Sequence, residues 1–376
     1  MEFELTEEQV LLSDSVQRFT DNEYPFAKRQ RLAKRERGFS DEHWQRFAEL
    51  GWLALPFVEQ DGGLAGGAVE ITLLMEKLGA SLVVEPYVPS IVLSGGAIKH
   101  AASAAQRAHW LPGIIEGTSQ AALGFVEKQS RFELENIETT AFKDGNGYVL
   151  NGAKSVVFNG PAADILVVAA RTGGESRDPD GISLFVVDAY TQGLNRRDYS
   201  TVDGLRASEL TLDNVRVAGD ALLGDTGSGL AALERTIDDG IVAVCAEAVG
   251  CMEALYKRTV EYCKSRTQFG QPIGKFQVLQ HRMVDMFMAY EQCKSLMYVT
   301  AMRMDVGYGK EAQKAASAFK AQIGDAAKFV GQSAIQLHGG MGMTDHLDIG
   351  HYFKRLTAIS TLFGDTDFHR RRYGRL

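Results

Sequence analysis

Residues 266–277 read Arg-Thr-Gln-Phe-Gly-Gln-Pro-Ile-Gly-Lys-Phe-Gln and join two long stretches of helical spacing. An arginine, amide side chains and glycine turns in one loop could bind a phosphate or a purine. The same residues could instead form a helix–helix connection in which Arg266 caps the preceding C-terminus. From its residues alone, the loop is therefore either a ligand-binding turn or a simple connection between helices.

The chain around this loop has three kinds of pattern. Short apolar runs rich in β-branched residues, separated by glycine and asparagine turns, extend from about Leu123 to Val217 and predict a β region. The residues before them have helical spacing and open on a capping-box pattern at Thr6 to Gln9. After Gly229, the apolar spacing predicts three long helices, over residues 230–265, 276–306 and 311–338.

This order of patterns predicts an α+β fold in three parts. We place an N-terminal helical domain at residues 1–120, a central β domain at residues 121–222 and a C-terminal helical domain at residues 223–376. A chain of 376 residues is long enough for two to three domains of ~150 residues each.

The composition argues against several classes of function. With 40 basic and 48 acidic residues the formal net charge is −8, so the overall charge does not attract nucleic acid or an anionic membrane. No apolar run approaches the ~20 residues of a membrane helix, and the acidic first residues do not resemble a signal peptide. We therefore expect a cytoplasmic enzyme that binds neither nucleic acid nor membrane.

Common catalytic signatures are also missing from the sequence. The eight histidines and four cysteines have no metal-ligand spacing, so we predict no metal site. No GxSxG, Walker or strand-GxGxxG-helix pattern is present, which argues against serine hydrolysis and NAD-type chemistry.

Two further glycine-containing segments lie closer to the C-terminus. Residues 336–342 read Gln-Leu-His-Gly-Gly-Met-Gly, and these glycines either permit close backbone approach or form only a helix C-cap. Residues 361–366 read Thr-Leu-Phe-Gly-Asp-Thr and carry a carboxylate beside an aromatic residue. Burial could make Asp365 a base, or the Gly-Asp pair could be turn chemistry alone.

Together, and in this order, the three segments resemble the acyl-CoA dehydrogenase family. Residues 51–64, 147–154 (Gly-Tyr-Val-Leu-Asn-Gly-Ala-Lys) and 213–217 (Asp-Asn-Val-Arg-Val) also follow the family's course, so the resemblance covers essentially the whole chain. The resemblance implies a central β-barrel-like domain, a C-terminal four-helix bundle, FAD as cofactor and a CoA thioester as substrate.

The resemblance also implies which residues hold FAD. In this family the loop that matches residues 266–277 contacts FAD across a dimer interface. The segment that matches residues 336–342 contacts the adenine-dinucleotide part of a neighbouring subunit's FAD. The cofactor-binding residues expected on this basis are Arg266, Gln268, Phe269, Gln277, Gln336, Gly339, Gly340 and Thr366.

Some positions depart from the family pattern. Gly364 stands where the family has its glutamate base, and Gly240 stands at the alternative position of that base on the first long C-terminal helix. Asp365, one residue later than the usual glutamate, is therefore the expected base if the chain is catalytic. Residues 124–130 and 156–158 replace the segments that usually contact flavin and substrate.

These departures resemble a branch whose members pair two unlike subunits, such as the small subunit of pimeloyl-CoA dehydrogenase and the subunits that act on steroid side chains. The resemblance implies α-proton removal, hydride transfer from C3 to flavin N5 and electron transfer to an electron-transfer flavoprotein. The chain would form a homo-oligomer or pair with an unlike subunit as α2β2. Two alternatives stay open, a non-catalytic partner that completes a neighbour's FAD site and a flavin-free acyl-CoA-binding or lyase-like protein.

Overall fold

The computed structural model describes residues 4–376, and the N-terminal part is helical, as predicted. Thr6 forms both hydrogen bonds of a capping box with Gln9, and the side chain of Ser40 caps the third helix. A π-helical stretch, Val88–Gly95, precedes the fifth helix. The helices of this part are α1 (Glu7–Glu23), α2 (Phe26–Ala33), α3 (Asp41–Glu49), α4 (Ala68–Ala80), α5 (Gly96–Ala101) and α6 (Ala104–Ile115).

Between residues 121 and 223 eight strands form one mixed sheet, as the short β-branched runs predict. The strands are β1 (Ala121–Gly124), β2 (Thr140–Asp144), β3 (Gly147–Phe158), β4 (Ile165–Arg171), β5 (Ile182–Asp188), β6 (Leu194–Ser200), β7 (Arg206–Ala218) and β8 (Leu222–Leu223). Their order is β6-β7-β3-β2-β4-β5-β8, and β1 pairs in parallel with β4. Leu150, Leu166, Phe185 and Leu210 belong to the common buried core of the sheet.

The C-terminal part contains the three long helices that the apolar spacing predicts. They are α7 (Gly229–Ser265), α8 (Gln277–Val306) and α9 (Lys310–His338), and their bounds agree with the prediction to one residue. A hairpin of β9 (Thr267–Gln268) and β10 (Gln271–Pro272) joins α7 to α8, and α10 (Ile349–Thr361) and α11 (Thr366–Arg375) follow α9. The α+β class and its helical, β, helical order are therefore confirmed.

The chain divides into two compact units. The first unit contains the described residues before Leu32 together with residues 67–83 and 241–376, and the second contains residues 32–66 and 84–240. The three domain bounds of the sequence analysis stay a prediction.

In the first unit two helices meet backbone to backbone. A Cβ on Gly250 of α7 would overlap the carbonyl oxygen of Glu76 on α4, and a Cβ on Gly79 of α4 would overlap that of Glu247. Glycine at both positions lets the helix backbones touch. The Glu247 carboxylate accepts two hydrogen bonds of 2.6 Å from Arg355 of α10. Helix α7 therefore anchors both of these neighbours.

In the second unit a buried ion pair ties β3 to the turn after β1. Nζ of Lys154 lies 2.5 Å from Oε1 of Glu127, and both side chains are buried. The backbone N–H groups of Glu138 and Thr139 donate to the same carboxylate at 2.8 and 3.1 Å. Burial acts to raise the pKa of Glu127, but the ammonium and these donors outweigh it and lower the pKa to about 2.

Removing the charge of Glu127 leaves the Lys154 ammonium buried without its counter-ion. We expect Glu127→Gln to lower the free energy of unfolding by about 3–5 kcal/mol near neutral pH, as measured by urea denaturation. The double variant Glu127→Gln/Lys154→Met should lose less of the free energy of unfolding than the single variant. Glu49→Gln, which breaks an exposed pair with Arg46, is the matched control and should lose less than about 1 kcal/mol.

The Glu127–Lys154 pair makes the free energy of unfolding depend on pH. The pKa of Glu127 is about 2 in the fold and has an ordinary value of 4.5, so ionisation stabilises the fold above pH 4.5, and this contribution disappears as the pH falls towards 2. The difference in unfolding free energy between the parental protein and Glu127→Gln should therefore shrink over this range. A difference that stays constant would contradict the pairing.

Candidate functional site

The hairpin between α7 and α8 presents an aromatic side chain to solvent. Its two central residues, Phe269 and Gly270, have φ of +53° and +81°, as a type I′ turn requires. A phenylalanine in this left-handed conformation is strained. Its side chain is 91% exposed, and its ring lies edge-on to that of Phe276 at 6.2 Å. The loop therefore holds an apolar ring in solvent at a conformational cost.

Arg266 is fixed through its backbone while its side chain is exposed. Its N–H donates to the Tyr262 carbonyl and its carbonyl accepts from the Ile273 N–H, both at 2.8 Å. Within the described residues the guanidinium makes no hydrogen bond or ion pair. The guanidinium is therefore available to an anion. Gln268 and Gln277 are exposed in the same loop.

The second predicted cofactor segment begins beside the first. The ring of His338, the last residue of α9, stacks on the ring of Tyr262 in α7 with the centroids 4.3 Å apart. Nδ1 of His338 donates to the Ala334 carbonyl at 2.9 Å. Because α7 leads directly into the Arg266 loop, the structure brings the two segments to neighbouring helix ends.

The glycines after His338 leave an open face. Gly339 has a φ of +60°, a conformation that favours glycine. A Cβ on Gly339 or Gly340 would meet no described atom within 4 Å, and Gln336 is exposed on the preceding turn. Packing among the described residues therefore gives no reason for a glycine at position 340, whereas close approach of a ligand or another chain would.

The loop between α10 and α11 contains a second strained aromatic residue. Phe363 has a φ of +58° and Gly364 a φ of +121°. Asp365 is the N-cap of α11, and its Oδ1 accepts from the Phe368 N–H at 2.8 Å. Thr366 is the first residue of α11. The carboxylate that the sequence offers as a base is thus also a helix cap.

Packing explains why a glycine stands at position 364. A Cβ there would lie 2.5 Å from Cδ1 of Phe368 and 2.6 Å from Nε2 of His369. Since φ is also +121°, a side chain here would be strained and would displace Phe368 and His369. The position at which the family pattern has glutamate is therefore closed by the chain's own C-terminal helix.

Two buried titratable side chains lie against this loop, and the sequence analysis missed both. Nζ of Lys320 on α9 donates to the carbonyls of Gly364 at 2.7 Å and Ser360 at 3.2 Å. Nε2 of His369 on α11 donates to the Phe363 carbonyl at 3.0 Å. Burial lowers the pKa of both groups, that of His369 to about 3, so the imidazole is neutral at physiological pH.

A sequence signal for Lys320 exists. It lies four residues after Ala316 and three before Ile323, on the buried stripe of α9, and a lysine on an apolar stripe needs buried acceptors. His369 stands next to a run of arginines and has no comparable signal.

The two segments of the β region that depart from the family pattern, residues 124–130 and 156–158, differ in local structure. In residues 124–130, Oγ of Ser130 donates to the Glu127 carbonyl and accepts from the Glu127 N–H, both at 2.9 Å. These polar groups therefore satisfy one another within the turn. Val156 lies where the register of β3 shifts, with a φ of +53° and a side chain that is 39% exposed. A β-branched residue in this conformation is a strained exception.

Two classes of feature are absent from residues 4–376. No group of three or more His, Cys, Asp or Glu side chains there could hold a metal ion. In the same range, no helix is both long enough and apolar enough to cross a bilayer.

Family models of three acyl-CoA dehydrogenase domains match the chain along most of its length. The N-terminal domain model matches residues 6–118, the middle domain model residues 122–215 and the C-terminal domain model residues 227–375.

Individual relatives agree with these models. The chain is 30% identical over 354 residues to the short-chain specific acyl-CoA dehydrogenase of Clostridium acetobutylicum, covering 92% of this chain and 91% of that protein. It resembles the solved butyryl-CoA dehydrogenase from Megasphaera elsdenii with a TM-score of 0.92 and 27% identity, covering 100% and 99% of the two chains. It resembles the FAD complex of PigA with a TM-score of 0.92 and 26% identity, covering 100% and 98%. The chain therefore belongs to the acyl-CoA dehydrogenase family.

Proposed function

We propose that this chain is an FAD-dependent acyl-CoA dehydrogenase, or a subunit of one, that converts an acyl-CoA into a 2-enoyl-CoA. The observation that carries the proposal is the strained hairpin between α7 and α8, which holds Phe269 in solvent beside the exposed Arg266 guanidinium. The open glycine face of residues 339–340 at the neighbouring helix end supports it. PigA, which has been solved as an FAD complex, supports the choice of cofactor.

The exposed groups suit the chemistry of FAD. The planar guanidinium of Arg266 can bind a pyrophosphate through two charge-assisted hydrogen bonds. Gln268, Gln277 and Gln336 offer amide donors and acceptors to the hydroxyls and ring nitrogens of the cofactor. Gly340, like the glycine before it, permits close approach of the backbone to the adenine-dinucleotide part.

In the proposed reaction Asp365 takes the α-proton of the thioester. Backbone N–H groups of its loop stabilise the negative charge that develops on the thioester oxygen. Thr366, at the start of α11, is a further residue that would hold FAD. The chemistry that FAD would supply when bound is acceptance of the hydride from C3, with an electron-transfer flavoprotein as the proposed electron acceptor.

A second candidate function is that of a non-catalytic partner subunit that completes a neighbour's FAD site. Two observations favour it: a side chain at position 364 would overlap Phe368 and His369, and the carboxylate of Asp365 already caps α11. In both candidate functions the FAD sites lie between subunits, in a homo-oligomer or in an α2β2 assembly with an unlike acyl-CoA dehydrogenase subunit.

Arg266→Ala tests whether the hairpin binds the cofactor. Loss of hydrogen bonds to a charged group costs about 1.5–3 kcal/mol, so FAD affinity should fall roughly tenfold or more, as measured by titration of the apoprotein. Lys264→Ala removes another exposed positive charge from the end of α7. This variant is the matched control, and we expect its FAD affinity to be unchanged.

Gly340→Ala tests the open face in the same assay. Because a Cβ at position 340 would meet no described atom, the thermal stability of the protein should stay unchanged while FAD affinity falls. Parental FAD affinity in both Arg266→Ala and Gly340→Ala would contradict cofactor binding at these two segments.

Asp365→Asn separates the catalytic function from the partner function. Asparagine keeps an oxygen that can accept the Phe368 N–H, so the cap and the fold should survive. For a catalytic chain we expect normal FAD content and acyl-CoA binding, with anaerobic flavin reduction by the substrate slowed by orders of magnitude. Flavin reduction at the parental rate would exclude Asp365 as the base and require a base elsewhere, whereas an FAD-loaded parental chain that substrate does not reduce would favour the partner function.

A further inference from the structure

A buried lysine beside the C-terminal loop is hydrogen-bonded by the backbone of that loop. Lys320 is 0% exposed, so its ammonium has lost water and must find other acceptors. It binds the carbonyl of Ser360, in the last turn of α10 where carbonyls have no intrahelical partner, and the carbonyl of Gly364. The negative charge of Asp365 also favours the charged form of the lysine.

His369 donates to the carbonyl of Phe363, the residue before Gly364. Its Nε2 lies 3.0 Å from the Phe363 carbonyl oxygen, and since a carbonyl can only accept, Nε2 carries the hydrogen. Nδ1 is buried and has no hydrogen-bond partner among the described residues. Because burial keeps the imidazole neutral, its single N–H donor is committed to the Phe363 carbonyl.

These two bonds fix the directions of two peptide planes. In a planar trans peptide the carbonyl of one residue and the N–H of the next point to opposite sides. The Gly364 N–H therefore points away from His369, and the Asp365 N–H points away from Lys320. The Gly364 N–H makes no hydrogen bond within the described residues although Gly364 is buried. A buried N–H of this kind is costly unless a water or a ligand supplies the acceptor.

We infer that Lys320 and His369 are positioning residues that aim the Gly364 and Asp365 N–H groups at the carbonyl oxygen of a bound acyl thioester. The inference rests on the proposed function, which supplies the thioester. The backbone strain of the loop supports it, because φ values of +58° at Phe363 and +121° at Gly364 persist only where the surroundings hold them.

Helix α9 is shaped for this contact. Gly324 lies one turn after Lys320, and a Cβ there would overlap Oγ1 of Thr366, so only glycine lets α11 begin so close. One turn before Lys320, Oγ of Ser317 accepts from Nη1 of Arg372 at 3.2 Å. One face of α9 therefore holds both the loop and the helix that follows it.

Acetoacetyl-CoA tests the direction of these donors without turnover. Its C2 proton is acidic and its enolate absorbs in the near ultraviolet, so the apparent pKa of the bound probe can be titrated by absorbance. Donors at the thioester oxygen stabilise the enolate and lower this pKa relative to the free probe. Misdirecting one donor should lower the ionisation constant of the bound probe about tenfold, which raises its apparent pKa by about one unit.

Four variants make the test specific. His369→Leu and Lys320→Met remove the groups that hold the loop, and both should show the rise in apparent pKa. His369→Gln keeps an amide donor near the position of Nε2 and should restore the parental enolate stability to within about threefold. His109→Leu, at an exposed histidine of α6, is the matched control and should behave as the parent. Circular dichroism and FAD content are recorded for each variant, and if Lys320→Met does not fold, the two His369 variants decide.

The outcomes separate the positioning inference from the proposed function. Equal apparent pKa values in the parental protein and in the His369→Leu variant, with FAD and probe bound normally, would overturn the inference and leave the proposed function standing. A crystal structure of His369→Leu in which the peptide between residues 363 and 364 keeps its orientation would also overturn it. A parental protein that binds neither FAD nor acetoacetyl-CoA would overturn both.

Discussion

The burial of one ammonium group determines the form of the C-terminal loop. Lys320 lies on the apolar stripe of α9, so its charge persists only if backbone carbonyls replace the water it has lost. The carbonyls that do so belong to Ser360 and Gly364, which fixes the end of α10 and the loop after it. In that conformation Phe368 and His369 fill the space beside Gly364. The buried lysine and the glycine that replaces the family's glutamate are therefore parts of one packing arrangement.

Part of the backbone strain lies in segments to which the family pattern assigns flavin or substrate contacts. Of the eight non-glycine residues with positive φ in the described part of the chain, Val156, Phe269 and Phe363 lie in three such segments. Conformations of this kind cost about 1–3 kcal/mol each and persist where the surrounding structure determines them. The pairing of β9 with β10 holds Phe269, and His369 holds the carbonyl of Phe363. The fold itself thus maintains these conformations before any ligand binds.

The helices could be predicted because their signals, the capping box and the apolar spacing, are carried by residues that are neighbours in the sequence. The capping box at Thr6 and the apolar spacing of α7, α8 and α9 each lie within a few turns of one element. The order of the strands could not be predicted in this way, since pairs such as β1 with β4 join residues far apart in the sequence. The Arg266 loop could be found because its chemistry lies in consecutive residues. The contact of Lys320 with Gly364 spans 44 residues and depends on how α9 packs, so no local pattern could reveal it.

We propose that this chain holds FAD through segments 266–277 and 336–340 and that another subunit completes the site. Within residues 124–130 the Ser130 hydroxyl and the Glu127 backbone already hydrogen-bond one another. The most direct test is the visible absorption spectrum, combined with light scattering, of the chain purified alone and after co-expression with an unlike acyl-CoA dehydrogenase subunit. We expect an oligomer with substoichiometric FAD from the chain alone and full flavin absorption from the co-expressed complex. A stable monomer with full FAD occupancy would contradict the claim.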